Sequence, residues 1–195
     1  MQNKKHKKVS HCMQAFIAVL LLTLLSGCSA VKTYQQNIVQ QRQDTFSQLG
    51  VMVQLTRNIA AAQEKFYDAN YRYAGKIAEL DVQLPADTCQ RLEHEIYDLT
   101  DSGDLLSCQN DFLIDNMATS GAVTLNYCPG AADSWEKCKD ARVVRIDYNL
   151  RYNDLQPNMH WCTVFNSSYP YPPSAHEICA KLPGFAKRIA ETKKP

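Results

Sequence analysis

The sequence predicts an α+β protein in which a long N-terminal α-helix packs on a small antiparallel β-sheet stapled by disulfide bonds. Two patterns predict this fold class: helical periodicity over residues 31–68, and short stretches of period-two alternation after it. The third observation is an even set of six cysteines distributed among those stretches. The 195 residues amount to one domain with appendages, since about 100–200 residues make one domain.

Composition and charge exclude several classes of protein. With 45% hydrophobic and 21% charged residues, the chain is neither a disordered tail nor a polytopic membrane protein. Four of the 21 basic residues lie within the first eight positions, so 17 basic residues face 20 acidic ones over the remainder. A slightly acidic body without a lysine or arginine stripe argues against a nucleic-acid partner.

The first 27 residues have the pattern of an export signal. A lysine-rich start precedes the apolar run 15–25, which is interrupted only by Thr23. The eleven residues of this run would span about 16 Å as a helix, whereas a transmembrane helix needs about 20 residues. A basic start, a short apolar run and small residues at its end are typical of a secretory signal peptide.

The end of this signal, Leu25-Ser26-Gly27-Cys28, resembles the bacterial lipobox. The resemblance implies that Cys28 is lipidated and becomes the first mature residue, and that Ser29 directs the protein to the outer membrane. Two or three acyl chains, palmitate among them, make such attachment effectively permanent. We therefore expect a lipid-anchored protein of the bacterial cell envelope, with its body in the periplasm or at the cell surface. The alternative is an uncleaved anchor in which Cys28 is a small buried residue.

The long helix is predicted over residues 31–68, which contain no proline and one glycine, Gly50. Residues 34–48 are rich in glutamine and have a thin apolar stripe, whereas residues 51–67 carry a broad apolar face that could cover a sheet. Asn70 is predicted to end the helix in the left-handed conformation. Two shorter helices hinged near Gly50 are the alternative.

The length of this helix indicates the domain organisation. At 1.5 Å per residue it would span roughly 57 Å, nearly twice the diameter of a small domain. We therefore predict a signal peptide over residues 1–27, a lipid anchor and helical stalk over 28–50, and a globular domain over 51–195.

Four segments after the helix are predicted as strands, because they alternate apolar and polar residues or form short apolar runs. They are residues 112–114, 122–127, 142–150 and 160–165. Connections of about 7 to 15 residues suit an antiparallel meander and exclude helical crossovers. An extended run over 80–84, a small helix over 92–99 and a short final segment over 175–182 complete the prediction.

The cysteines that follow the anchor are Cys89, Cys108, Cys128, Cys138, Cys162 and Cys179. An even number in an exported chain favours a disulfide framework, although six cysteines allow 15 connectivities. We favour three sequential pairs, because each closes a short loop between predicted elements: Cys89–Cys108, Cys128–Cys138 and Cys162–Cys179. A loop of this size contributes roughly 3 kcal/mol in the chain-entropy model.

Catalytic motifs are missing from the sequence, which lacks H-E-x-x-H, G-x-S-x-G, a glycine-rich phosphate loop and C-x-x-C. Glu93, His94 and Glu95 are acid–base groups in a row, but adjacent positions of a helix do not face one another. We therefore predict a non-enzymatic protein without a cofactor, a metal or a small-molecule substrate.

Two metal sites are the alternatives to a metal-free protein. A zinc site would use His160 with Cys162 and His176 with Cys179. Its spacing matches no common zinc finger, and an oxidising compartment disfavours free thiolates. A calcium site would use Asp101, Asp104 and Asp115, which lack the spacing of a known calcium loop.

The proline-rich segment 167–173 is the predicted contact surface for a partner. It contains Tyr169 and Tyr171, each followed by proline, and exposed aromatic rings mark interaction sites. The alternative is a rigid turn without a partner.

The passage AAAQEKFYDANYRY over residues 60–73, with IAELDV over 77–82, resembles the type IV pilins and type II secretion pseudopilins. In that family this passage ends the long helix, and glycine is usual where Tyr71 stands here. The C-terminal ICAKLPG over residues 178–184 is similar to the family's closing disulfide loop. The resemblance implies a pilin-like body in which a long N-terminal helix packs on an antiparallel sheet.

The start of the chain departs from the prepilin pattern. Prepilins are cut after a glycine and carry a glutamate shortly beyond the cut, whereas residues 10–14 contain neither. In the family that glutamate serves filament assembly, so the resemblance does not extend to ordinary polymerisation.

These observations predict an exported pilin-like lipoprotein, a structural or assembly accessory of a type IV pilus or a type II secretion system. The stalk would provide the partner-binding helix, and the sheet face an exposed docking surface. One alternative is a degenerate minor pilin that keeps its apolar helix in the membrane. Another is a periplasmic ligand-binding or enzymatic lipoprotein, which a concave pocket with two or more titratable groups would favour.

Overall fold

The computed structural model describes residues 3–85, 88–92, 103–148, 160–169, 172–182 and 184–189, and for residues 3–30 it describes the backbone alone. The helices are α1 (Asn3–Asn70), α2 (Trp135–Ala141) and α3 (Ala175–Ala180), and a 3-10 turn spans Ile77–Glu79. The strands are β1 (Cys89–Leu92), β2 (Asp104–Cys108), β3 (Phe112–Asn116), β4 (Val123–Tyr127), β5 (Val144–Tyr148), β6 (His160–Val164) and β7 (Phe185–Ile189). The chain divides into two compact units, Met1–Asp44 and Thr45–Pro195.

The first unit is helical and has a polar surface over the residues whose side chains are described. Gln40 Nε2 donates to Asp44 Oδ1 at 2.9 Å, one turn further along. Among the few large apolar side chains here, Tyr34 is 67% exposed. Within the part of the chain that the structure describes, no helix combines the length and the apolar character needed to cross a membrane.

In the second unit the C-terminal part of α1 packs one face on the sheet. Met52 and Ile59 are completely buried, whereas Val51 on another side of the helix is 54% exposed. The predicted broad apolar face is therefore confirmed, as is the α+β class. Because α1 continues through Gly50, the alternative of two hinged helices is wrong.

The described residues form one seven-stranded sheet in which every strand pairs with its neighbour in sequence. The pairs from β1 to β6 are antiparallel, as the meander prediction required, but β7 pairs with β6 in parallel. The connection between β6 and β7 contains α3, and a parallel pair needs a crossover of this kind. The expectations of a small sheet and of no helical crossover are therefore wrong.

The four predicted strands correspond to β3, β4, β5 and β6, while β1, β2 and β7 were not predicted. Leu105 and Leu106 are adjacent in β2, and β7 ends with Lys187, Arg188 and Ile189, so neither strand alternates cleanly. The predicted helix over 92–99 begins at Leu92, which belongs to β1. Its other residues lie outside the described part of the chain.

The two faces of the sheet differ in chemistry. The inner face, which lies against α1, carries buried apolar side chains such as Leu106, Ile114, Leu125 and Ile146. The outer face, on the other side, carries polar side chains that are nevertheless buried. They are Thr124, Asn126, Asp147 and Thr163, none more than 4% exposed. The expectation of an exposed docking face is therefore wrong at these positions.

The three predicted disulfide bonds are confirmed. Cys89–Cys108 joins directly opposed residues of β1 and β2. Cys128–Cys138 joins the end of β4 to α2, and Cys162–Cys179 joins β6 to α3. The zinc alternative is wrong, because both cysteines that it requires are bonded to each other.

A buried amide network fastens the end of α1 to the sheet. Gln63, which is fully buried, donates from Nε2 to the Ala74 carbonyl at 2.8 Å and to Asn116 Oδ1 at 2.6 Å. Its Oε1 accepts from the Ala74 backbone N–H at 2.8 Å. Asn116 Nδ2 donates to the same Ala74 carbonyl at 3.1 Å. The helix, the loop after it and the end of β3 therefore share one set of hydrogen bonds.

Gln63→Leu is expected to lower the free energy of unfolding by about 3 kcal/mol, because it leaves the Ala74 backbone N–H and Asn116 Oδ1 buried without the partner that Gln63 provides. Urea denaturation of the oxidised protein measures the change. The control is Gln54→Leu, at an exposed position where Gln54 bonds only Asn58 on the described helix surface. An equal loss in both variants would contradict the assignment.

The left-handed residue that ends the helix lies one position later than predicted, at Tyr71 instead of Asn70. Asn70 is the last helical residue, and Tyr71 adopts the left-handed conformation with φ of 56°. Tyr71 N–H donates to the Tyr67 carbonyl at 2.8 Å, which is the bond that a left-handed cap makes. Glycine is the usual residue for this conformation because it has no Cβ, and the tyrosine side chain is 85% exposed.

Tyr71→Gly is therefore expected to raise the free energy of unfolding by about 1 kcal/mol, the cost of holding an L-residue in the left-handed region. Chemical denaturation compares it with Asn70→Gly, which places glycine in a helical position and is expected to destabilise. A loss of stability in the Tyr71 variant would refute this account.

Candidate functional site

A groove in the second unit lies between α1 and the chain after the 3-10 turn, and is here called the α1 groove. Its larger part has a volume of about 720 Å³ and is lined on the helix side by Asn58, Ala61, Ala62, Lys65, Phe66 and Ala69. Residues 79–83 line the other side. A second part of about 630 Å³ continues toward Gly50 and shares Asn58 and Gln83 with the first.

Local sequence explains why the groove exists. Ile77 is buried and donates its backbone N–H to Asp104 Oδ2 at 2.7 Å, and Leu80 is buried beside it. These contacts hold the turn against the sheet. The helix opposes it with the short side chains of Ala61 and Ala69, which leave space between the two walls. The result is an open groove along the helix.

The charged groups of the α1 groove are Lys65, Glu79 and Asp81. Glu79 Oε2 accepts from Arg72 at 2.9 Å, and Oε1 accepts from the Lys76 backbone N–H at 3.1 Å. The hydrogen bond from Arg72, followed by that from Lys76, lowers the pKa of Glu79. These two hydrogen bonds favour the ionised form of Glu79 and tie its carboxylate to the turn.

A histidine lies in an aromatic cluster on the inner face of the sheet, near its β7 edge. The His160 ring is 5.0 Å from that of Tyr148 and 5.4 Å from that of Phe185, between ring centroids. His160 Nδ1 is buried and has no hydrogen-bond partner among the residues that the structure describes. Burial, with the positive charge of Arg57, lowers the pKa of His160 below its ordinary value, so the ring packs as a neutral group.

Stability is expected to fall as the pH drops below about 6.5, the ordinary pKa of histidine, because the unfolded chain binds a proton at His160 before the folded chain does. His160→Phe keeps an aromatic ring and removes that proton site. The free energy of unfolding, measured between about pH 7.5 and pH 5, should depend less on pH in the variant. Parallel pH profiles of the two proteins would contradict the prediction.

Of the two predicted partner-binding tyrosines, the structure describes Tyr169 but not Tyr171. Tyr169 is half-buried and packs on the core, with its ring 6.4 Å from that of Tyr127 in an edge-on arrangement. Burial raises the pKa of Tyr127. Tyr171 lies outside the described residues, so partner binding by this segment stays a prediction. Cys28 lies in α1, where only the backbone is described.

The calcium alternative receives no support from the two aspartates that are described. Asp104 accepts from Ile77 N–H and lies 3.5 Å from Arg91 Nε, so it anchors the turn. Asp115 also has interaction partners. Asp101, like Glu93, His94 and Glu95, falls outside the described residues. Across the described ranges, no three histidine, cysteine or acidic side chains cluster as a metal site would require.

Comparison of the chain with known proteins found no match. Neither a protein-family model, a curated protein nor a solved structure matches the chain.

Proposed function

We propose that this protein is an exported, pilin-like lipoprotein that serves as a structural or assembly accessory of a type IV pilus or a type II secretion system. The observation that carries the proposal is one helix, α1, whose C-terminal part packs on a disulfide-bonded sheet that is antiparallel from β1 to β6. The motif that resembles the pilins, residues 60–73, covers the last turns of that helix and the first three residues after it.

The anchor follows from the lipobox resemblance at Cys28. Acyl chains on this cysteine would hold the chain at the membrane surface. Three disulfide bonds in the second unit support an oxidising location for the body. The lipid anchor and the disulfide bonds therefore both support a location of the protein body outside the inner membrane.

The α1 groove is the surface that we assign to a pilus or secretion-system protein. It lies beside the helix, carries charges of both signs, and presents exposed alanines between them. Its carboxylate Glu79 is held by Arg72 and a backbone N–H, so the chemistry supports recognition of a polypeptide segment.

Mass spectrometry of the mature protein tests the anchor. The expected result is a chain that starts at Cys28 with a diacylglyceryl group, and Cys28→Ala should abolish both the modification and membrane retention. A mature chain that starts near Ser10 or His11 would instead support the alternative of a minor pilin, in which the apolar segment is retained.

Affinity purification from cells that assemble pili or secrete proteins tests the partner. Wild-type protein is expected to retain a pilus or secretion-system component, and Ala61→Arg or Ala69→Arg should weaken that retention at least about tenfold, since bulk and charge fill the groove. Ala141→Arg, at an exposed alanine that ends α2, is the matched control. If all three variants retain the component as the wild type does, the α1 groove is not the surface that binds it.

A ligand-binding lipoprotein is the second candidate, because the α1 groove holds three titratable groups, Lys65, Glu79 and Asp81. Deletion of the gene separates the two candidates. Loss of pili or of secretion would support the accessory role. Intact pili and secretion would reject that role and leave ligand binding.

A further inference from the structure

The outer face of the sheet carries a row of four polar side chains across β4 to β7. The register places Asn126 opposite Arg145, Arg145 opposite Thr163, and Thr163 opposite Arg188. Alternation along each strand places all four on the face away from α1. Arg145 and Arg188 therefore stand on either side of Thr163, one strand spacing away, which is about 4.8 Å.

A further arginine crosses this row from the end of α2. Arg142 Nη1 donates to Asn126 Oδ1 at 3.1 Å, and its guanidinium lies 3.8 Å from the ring centroid of Phe165. Asn126 belongs to β4 and Phe165 follows β6, so the guanidinium spans the strand between them, which carries Arg145. Stacking on an aromatic ring fixes the plane of the guanidinium.

Two polar side-chain atoms of this region are buried and, among the described residues, unsatisfied. Arg142 Nε and Thr163 Oγ1 find no hydrogen-bond partner within the part of the chain that the structure describes, and Thr163 is only 4% exposed. Buried polar atoms are almost always hydrogen-bonded, so two exceptions in one region need an explanation. Both can donate, one as an N–H and the other as a hydroxyl. A ligand with several acceptor oxygens would satisfy both.

The charge of the region also favours an anion. Arg145 pairs through Nε with Asp147, the buried carboxylate two residues further along β5. Asp115 lies in the adjacent row, separated from Asp147 by Thr124, and has interactions of its own. Burial, together with the charge of Arg145, lowers the pKa of Arg142. Arg188 adds a third guanidinium, which lies 5.0 Å from the ring centroid of Trp161. The three arginines of this region therefore outnumber its two aspartates, Asp115 and Asp147.

We propose that Arg142, Arg145 and Arg188, with the hydroxyl of Thr163 between them, bind a phosphate group on the outer face of the sheet. Guanidinium groups present planar pairs of donors that match phosphate oxygens, and they remain charged when partly buried. Phosphate oxygens would accept from Arg142 Nε and from the Thr163 hydroxyl. A soluble phosphate compound and the headgroup of an anionic lipid offer this same chemistry. The site is independent of the α1 groove and of the proposed function.

Isothermal titration of the purified protein with inorganic phosphate tests the site, and dihexanoyl phosphatidic acid serves as a short-chain lipid probe. Wild-type protein is expected to bind at least one probe. Thr163→Val keeps the side-chain shape and removes the unpartnered hydroxyl, so the fold should persist while affinity falls about tenfold. Arg188→Gln, at an exposed position, should weaken binding similarly. Arg42→Gln, at an exposed arginine of α1 in the first unit, is the control and should bind as the wild type does.

The pattern of binding identifies the source of the phosphate. Binding of inorganic phosphate that Thr163→Val weakens supports a soluble ligand, whereas binding of the lipid probe alone, again weakened in that variant, supports a headgroup. Wild-type protein that binds neither probe would overturn the proposal. Equal affinity of the wild type and Thr163→Val would overturn it too, because the hydroxyl would then have no role in binding.

Discussion

The buried amide of Gln63 is the interaction on which the architecture depends. A helix can pack on a sheet at many angles and registers if apolar contacts alone hold it, because such contacts have no direction. Hydrogen bonds do have direction, and Gln63 makes three of them, to both backbone groups of Ala74 and to the side chain of Asn116. They set where α1 stops and where β3 lies under it.

The same network explains the loop that follows the helix. With Ala74 fixed, the chain has only a few residues in which to leave the helix, and Tyr71 takes a left-handed conformation to do so. Tyr73 then places its ring 4.6 Å from that of Tyr67, between centroids. The ring lies against Gly121, where a Cβ would come within 2.2 Å of it. Glycine is required in that turn because it brings the backbone close to the ring and because its φ is positive.

The disulfide bonds reinforce the parts of the sheet that this network does not reach. One lies between the edge strand β1 and β2, and another ties the crossover helix α3 to β6. The third covers the outer face by holding α2 over Leu113 and Ala132. The α1 groove lies on the helix side of this crosslinked layer, whereas Arg145, Thr163 and Arg188 lie on its outer face.

The sequence by itself determined the elements whose signal is local: the long helix, β3 to β6, the disulfide pairs and the alternation of β5. Periodicity and short loop separations depend on neighbours along the chain, so they can be recognised without coordinates.

The tertiary structure alone decided the rest. The edge strands β1 and β7 lack clean alternation, because neither has a fully buried side chain, so no buried face requires apolar residues at every second position. Arg145, Thr163 and Arg188 are separated in sequence, and only the register of β5 to β7 brings them into one row on one face.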